Sequence, residues 1–236
     1  PAAHGSIEAL ALDPQRHWLC AGTSNGYVAL WDTRFHVRLQ TWRTSNHARI
    51  RACALHPTRP HVLTVATSAV VSLDLGTGAV LETFYSREFG EHVPNITLES
   101  CADEAPSDTC WDGSYALCVG ADGYMSSPAE SPRGWIVTGG SDRVVRFWDL
   151  GRADTCTAFG SQIHGEFTMT HHRYIHTFQC IEAPPKRSPL HIHQQVKDAM
   201  GTLTSHQDTI TALAVIEAPY RCVVAGDRSG VLCVWE

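Results

Sequence analysis

The chain has 236 residues, 43% of them hydrophobic, and a formal charge of −6 with 14 histidines. That composition supports a sizeable core in one large domain or two small ones. No basic surplus exists to neutralise phosphates, which argues against a sequence-independent grip on nucleic acid, and no apolar run approaches the roughly 20 residues of a membrane-spanning helix.

Pro1-Ala2-Ala3-His4 does not begin a secretory signal, so the chain reads as soluble and intracellular. Nine cysteines, an odd number without a CxxC pair, fit a reducing compartment in which buried thiols act as small hydrophobes.

The first unit opens at His4-Gly5, alternates through Ile7, Ala9 and Ala11, and turns at Asp13-Pro14. Trp18 to Ala21 forms a second strand, Ser24-Asn25-Gly26 a turn, and Tyr27 to Asp32 a third strand, with a fourth around Val37 to Trp42. The second unit repeats the plan with Ile50 to Leu55, His56-Pro57, Val62 to Ala66, Val70 to Leu75, and Val80 to Phe84 after Gly76-Thr77-Gly78. Leu73-Asp74 stands where the first unit has Trp31-Asp32.

Gly139 to Trp148 provides the clearest hairpin, with Gly140-Ser141-Asp142 at its centre and Trp148-Asp149 at its end. Gly22 to Trp31 and Gly226 to Trp235 repeat the same nine-residue step from glycine to tryptophan. From Trp31 to Leu73 the interval is 42 residues, then 75 to Trp148 and 87 to Trp235. A period near 42 with two long insertions, within 86–133 and 151–205, accounts for these steps. The units are then 4–46, 47–85, 86–150 and 151–236. Pro184-Pro185-Lys186-Arg187 predicts an exposed loop in the second insertion, and 194–200 a short helix.

Four short strands per unit and a terminal Trp-Asp predict an all-β chain of propeller blades. In this the chain resembles the WD-repeat family, in which a His, a strand Ser or Thr, a turn Asp and the Trp form a hydrogen-bonded cluster. The residues carrying that signature are Trp31, Asp32, Thr138, Asp142, Trp148, Asp149, His206 and Trp235. The third unit matches best; Ala21 and Asn25 in the first, and Ala225 and Ser229 in the fourth, depart from it. Four blades are visible, and the family's usual seven implies that the chain is part of a seven-bladed propeller in a longer protein. Alone, such a segment would expose sheet edges and is expected to aggregate.

Three motifs with chemical overtones carry little. Gly22-Thr23-Ser24-Asn25-Gly26 fits GxSxG, but a nucleophile elbow needs a helix after it, and a strand follows here. His164, His171, His172, His176, His191 and His193, with Glu166, crowd the second insertion without metal-site spacing, as do Cys101, Cys110 and Cys118 in the first. Glu88-Phe89-Gly90 resembles a kinase metal-binding triplet with the wrong acid and none of its companion motifs. No catalytic residue, metal or cofactor is expected in the segment.

Within the WD-repeat family the chain is similar to the carboxy-terminal propellers of protein-kinase-like regulatory subunits of class III phosphatidylinositol 3-kinase complexes. The matching stretches are Trp31-Asp32-Thr33-Arg34-Phe35, Ala48-Arg49-Ile50-Arg51 with His56-Pro57, Arg146-Phe147-Trp148-Asp149-Leu150, and His206 to Ala214. Leu73 and the composition of both insertions depart from the pattern. The resemblance implies a protein-binding platform whose partners are the lipid-kinase catalytic subunit and coiled-coil subunits. It also implies peripheral association with endosomal and autophagic membranes, a role in autophagy and endosomal or vacuolar sorting, and a kinase-like domain elsewhere in the parent protein. Arg34, Arg49, Arg51 and Arg143 are the candidate docking cations. Trp31-Asp32-Thr33-Arg34 also fits the WDxR pattern of WD-repeat substrate receptors of cullin-RING ubiquitin ligases, which is the alternative; a serine hydrolase using Ser24 is a distant third.

Overall fold

A computed structural model describes residues 4–44, 48–67, 69–86, 96–97, 114–120, 134–151, 156–159, 166–171, 174–179, 206–216 and 222–235. No α-helix occurs among them. In chain order the strands are β1 (Ile7–Asp13), β2 (Trp18–Thr23), β3 (Tyr27–Asp32), β4 (Val37–Thr44), β5 (Ala52–Leu55) and β6 (Val62–Ala66). Next come β7 (Val70–Asp74), β8 (Val80–Ser86), β9 (Ile96–Thr97), β10 (Ser114–Gly120), β11 (Trp135–Gly140) and β12 (Val145–Asp149). The last are β13 (Thr157–Phe159), β14 (Glu166–His171), β15 (Tyr174–Gln179), β16 (Ile210–Ile216), β17 (Cys222–Asp227) and β18 (Leu232–Trp235).

These strands make four sheets, each built on consecutive strands as short turns require. Their orders are β1-β2-β3-β4-β9, β15-β14-β8-β7-β6-β5, β10-β11-β12-β13 and β16-β17-β18. The chain divides into two compact units, Pro1–Ser114 with Phe167–Thr177 and Tyr115–Glu166 with Phe178–Glu236.

The third sheet takes β13 from beyond position 150, where the sequence reading drew a boundary. The physical reason is the same as for Val37 to Thr44 in the first sheet: the outer strand follows the Trp-Asp, because the strand ending in Trp still has an edge to pair. Both insertions also contribute strands. β9 pairs with the edge of β4, Arg43 opposite Thr97, and β14 pairs with β8 from Phe167 opposite Ser86 to His171 opposite Glu82. Residues 184–187, the helix expected at 194–200 and Glu88-Phe89-Gly90 lie outside the described residues.

In the first unit one core joins the first two sheets. Ala9, Ala11, Cys20, Val28, Leu30 and Trp42 pack with Ile50, Leu63, Val65, Val71, Leu73 and Leu75. Each fully buried Leu or Val of that set contributes about 1.5–3 kcal/mol relative to exposure. The alternation of β1 follows directly: Ala9, Ala11 and Asp13 are buried while Glu8, Leu10 and Leu12 face out. Leu73 in place of tryptophan is wholly buried in this core, so the second sheet closes without its signature aromatic. In the second unit Ala116, Trp135, Val137, Val145 and Phe147 pack with Ile210, Val223 and Ala225, and with partly buried Leu213 and Val215.

Glycine sets the closeness of both junctions. A Cβ on Gly22 would lie 2.4 Å from Ile50 Cγ2, and one on Gly139 would lie 2.6 Å from Ile210 Cγ2. In each case an isoleucine at the entrance to one sheet fills the space that a glycine in the second strand of its neighbour leaves open.

Candidate functional site

The functional residues expected from the repeat sit where strands turn, so each turn is built from its residues upward. In the third sheet Ile136 lies opposite Trp148 and Thr138 opposite Arg146, which places Thr138 and Trp148 on one face. Trp148 Nε1 donates to Thr138 Oγ1 at 3.0 Å, and both residues are buried. Asp142, in the turn between the same strands, pairs with Arg146 at 2.5 Å and accepts from the Val144 amide at 3.3 Å. The aspartate after the tryptophan closes the turn that follows the strand, Asp149 Oδ1 accepting from the Gly151 amide at 2.8 Å.

The same aspartate position closes the turn in the first two sheets. Asp32 Oδ1 accepts from the Arg34 amide at 2.8 Å, and Asp74 Oδ1 accepts from the Gly76 and Thr77 amides, each at 2.8 Å. Arg34 also donates through its guanidinium to Asp32 at 2.7 Å. That bond, with the Arg34 amide, holds the Asp32 carboxyl down at about 2.

In the fourth sheet the polar cluster has a member that the motif reading missed. His206 Nδ1 lies 3.4 Å from Asp227 Oδ2, with both side chains fully buried. Asp227 Oδ2 accepts from the Gln207 amide at 2.9 Å; Oδ1 accepts from Ser229 Oγ at 2.7 Å and from the Val231 amide at 2.9 Å. Burial by itself would raise this carboxyl, but Ser229 and the amides of Val231, Gln207 and Asp208 outweigh it and hold it at about 2. Burial lowers the His206 ring below its usual range, against the pull of Asp227. The signature positions, Ala225 and Ser229, lack a carboxylate; it stands two residues before Ser229. The signal was an Asp directly after Gly226, followed by Ser229-Gly230, a sequence with turn chemistry of its own. Trp235 ends β18 opposite Val223.

A second buried polar group, in the first unit, was also invisible to motif reading. Glu82, in the middle of β8, is 2% exposed and pairs with Arg59 at 3.0 Å, with His56 Nε2 at 3.6 Å. His56 Nδ1 accepts from the Thr58 and Arg59 amides at 3.3 and 3.1 Å. Because that nitrogen accepts, the proton of the neutral ring belongs on Nε2, facing the carboxylate. The group anchors the His56-Pro57 turn to the outer strand. That turn and Asp13 to Arg16 line a shallow cleft of about 340 Å³.

Within the first unit the candidate docking arginines Arg34 and Arg49 lie at opposite ends of the first sheet. Arg34 follows β3 at the end of the first sheet that carries Asp13 and Trp18. Arg49 reaches Glu8, at the other end of that sheet, at 3.5 Å, and the Arg51 amide donates to Ala66 O at 3.0 Å. Arg143 belongs to the other unit and has a φ of 63°.

The chemical readings of low weight also meet the geometry. Ser24 lies in the turn between β2 and β3, accepting from the Ser6 amide at 3.0 Å and donating to Asn25 Oδ1 at 3.4 Å. The strand that follows it leaves no elbow. Among the described residues no group of three or more His, Cys, Asp or Glu side chains is placed to hold a metal. His164, His172, His191, His193, Cys101 and Cys110 lie outside them, His171 and His176 are in β14 and β15, and Cys118 is packed against the second unit's core. Burial pushes the thiols of Cys20 and Cys53 up to about 12 and that of Cys233 to about 11, far from a nucleophile's range.

Comparison with known proteins agrees with this anatomy. The family model described as WD domain, G-beta repeat matches residues 2–32 and 131–149. Over 100% of its length the chain is 22% identical to a VPS15 protein of Komagataella pastoris, covering 19% of that protein. With serine/threonine-protein kinase VPS15 of Arabidopsis thaliana it shares 22% identity over 98% of its length, covering 18% of the relative. A 45-residue stretch is 47% identical to a vps15 protein of Dictyostelium discoideum. The chain therefore spans about a fifth of the length of the first two of these relatives. Among solved structures the WD40 β-propeller domain of Doa1 matches with a TM-score of 0.51 and 12% identity, covering 98% of this chain and 51% of that one; this bears on the fold alone. The repeat turns, the family model and the fold agree on an all-β chain of WD repeats, and along its length the chain is similar to Vps15 proteins.

Proposed function

We propose that this chain is the docking platform of a regulatory subunit of a class III phosphatidylinositol 3-kinase complex. The observation that carries the reading is an alignment to Vps15 proteins that runs over the whole chain rather than over one hairpin. The segment is a non-catalytic WD fold: its polar clusters tie strands to turns, and rigid sheets hold loops whose partners supply the chemistry. Its partners in this reading are the lipid-kinase catalytic subunit and the coiled-coil subunits of the complex. Its place is peripheral on endosomal and autophagic membranes, through the complex, in autophagy and endosomal or vacuolar sorting. Any protein-kinase chemistry belongs to a part of the parent protein outside these 236 residues.

Affinity purification of the full-length gene product from cytosol tests this. Near-stoichiometric recovery of a lipid kinase and coiled-coil subunits, lost in Trp148→Ala, is the expected result. Recovery of a cullin adaptor, lost in Arg34→Ala, would replace the proposal with the ubiquitin-ligase alternative.

A further inference from the structure

The first turns of the first two sheets are built alike and stand on either side of one cleft. Asp13 Oδ1 accepts from the Gln15 and Arg16 amides at 2.9 and 3.1 Å, and His56 Nδ1 accepts from the Thr58 and Arg59 amides in the same pattern. An arginine occupies the matching place in both turns, Arg16 and Arg59, and both line the cleft of about 340 Å³. Pro14, Pro57 and Pro60 stand in the same walls and stiffen them, since proline fixes φ. Every lining residue belongs to one compact unit.

Each arginine is held from behind by a carboxylate. Arg16 Nη1 donates to Asp13 Oδ2 at 2.6 Å. The second turn carries no carboxylate, and Arg59 instead pairs at 3.0 Å with Glu82 of β8. The Asp13 and Glu82 side chains are 6% and 1% exposed, those of Arg16 and Arg59 33% and 28%. Negative charge is therefore shut in, and positive charge is what the cleft presents. Neither guanidinium is needed to close its turn, because Asp13 Oδ1 and His56 Nδ1 already accept the turn amides. Stability alone does not account for Glu82 either: a buried ion pair often stabilises no more than apolar packing of the same volume. What the two pairs do achieve is to hold two guanidiniums in fixed positions, and arginine carries more N–H donors than one carboxylate takes side-on.

We propose that this cleft binds the carboxylate side chains of an acidic segment of a protein partner, with Arg16 and Arg59 contacting them from opposite walls. This deepens the docking-platform reading, on which it rests, by giving it a place and a partner chemistry. Arginines already anchored lose little side-chain freedom on binding, so each new charge-assisted hydrogen bond is offset less by ordering. Charge complementarity selects the occupant. A nucleic acid or an anionic membrane is drawn by a net positive field, whereas this chain carries a formal charge of −6, and its two cleft cations are half neutralised from behind. Recognition here is short-range, which suits single carboxylates presented by a peptide.

The test uses the full-length gene product and fluorescence anisotropy of a fluorescein-labelled peptide of alternating glutamate and glycine. The glutamate peptide is expected to bind, and its glutamine counterpart at least about tenfold more weakly. Arg16→Gln should weaken the glutamate peptide by at least about tenfold, while Arg228→Gln, the same charge change on an exposed turn of the other unit, should leave binding unchanged. Arg59→Gln combined with Glu82→Gln, which removes the second guanidinium without leaving a buried charge, should weaken it as well; melting temperatures identify the variants that fold. No binding by the parent protein, equal binding of the two peptides, or parent-like binding by either folded cleft variant would overturn the inference. So would a phosphoserine peptide that binds where the glutamate peptide does not, by making phosphate the ligand. Recovery of the lipid kinase and coiled-coil subunits without peptide binding would sink this inference alone. Peptide binding without those subunits would remove the class III complex and leave the cleft standing.

Discussion

Five side chains show how much one position decides. Trp148 is 2% exposed and its indole N–H has Thr138 Oγ1 as partner, so the two can be separated by substitution. Trp148→Ala is expected to lose about 3–5 kcal/mol from the emptied volume. Thr138→Val should lose about 1–3 kcal/mol, because it preserves shape and strands a buried donor; urea unfolding measures both. Arg143 occupies with a φ of 63° the turn place where the first and fourth sheets have Gly26 and Gly230, at 76° and 89°. A left-handed non-glycine residue is strained, so Arg143→Gly should gain up to about 1 kcal/mol after the entropy of glycine is counted, seen as a higher melting temperature. His206 and Asp227 give a pH dependence of one sign. The Asp227 carboxyl is lowered from 3.8 to about 2 in the folded chain, so its contribution is present above 3.8 and lost as the pH falls through that range. The His206 ring is lowered from 6.5, so the unfolded chain binds a proton first and stability declines once the pH drops below 6.5. Acid titration of the fourth sheet's unfolding should therefore show falling stability from pH 7 downward, and Asp227→Asn should flatten its most acidic part.

At the scale of the element, the unit of construction is a meander whose inner strands pack through an isoleucine and a glycine. Gly22→Ala and Gly139→Ala place a methyl 2.4 and 2.6 Å from an isoleucine carbon. Each is expected to destabilise by about 1–3 kcal/mol, measured by chemical denaturation; because Ile50→Ala removes the Cγ2 that the new methyl meets, the Gly22→Ala/Ile50→Ala pair should be less destabilised than the sum of the two single variants. The outer edges follow a different rule. Strands from the insertions, β9 on β4 and β14 on β8, pair with edges that would otherwise stay open, which limits edge-to-edge association. The alternation, the turn residues and the glycine-to-tryptophan step made β1 to β8, the β11-β12 hairpin and the strands of the fourth sheet legible, because period and turn chemistry are local; β10 and β13, which complete the third sheet, were not read. The pairing of the insertions was not legible: a two-residue strand such as Ile96–Thr97 has no period of its own, and its partner lies 52 positions away at Thr44.

For the whole molecule, the free thiols report on folding. Cys20, Cys53 and Cys233 have pKa values raised to about 12, 12 and 11 by burial. They should resist alkylation at pH 8 in the native chain and react on unfolding, and mass spectrometry under increasing urea would follow the loss of each core. Composition and repeat period alone determined that the chain is all-β, built of WD-type units with two long insertions, and without the charge for nucleic acid. These features are set residue by residue along the sequence: side-chain alternation, turn-forming Gly, Asn and Asp, and a recurring interval. Tertiary structure alone decided which polar residues complete the clusters. Asp227 took the carboxylate role that the motif assigned to the position of Ser229, and Glu82 became a buried anion held by Arg59 and His56. It also decided that Ile7 is 64% exposed while Ile50 and Ile210, at the same place in later sheets, are fully buried. A sequence pattern marks a residue as apolar or charged, but burial and pairing depend on what another strand brings to it, and that is fixed only when distant segments meet.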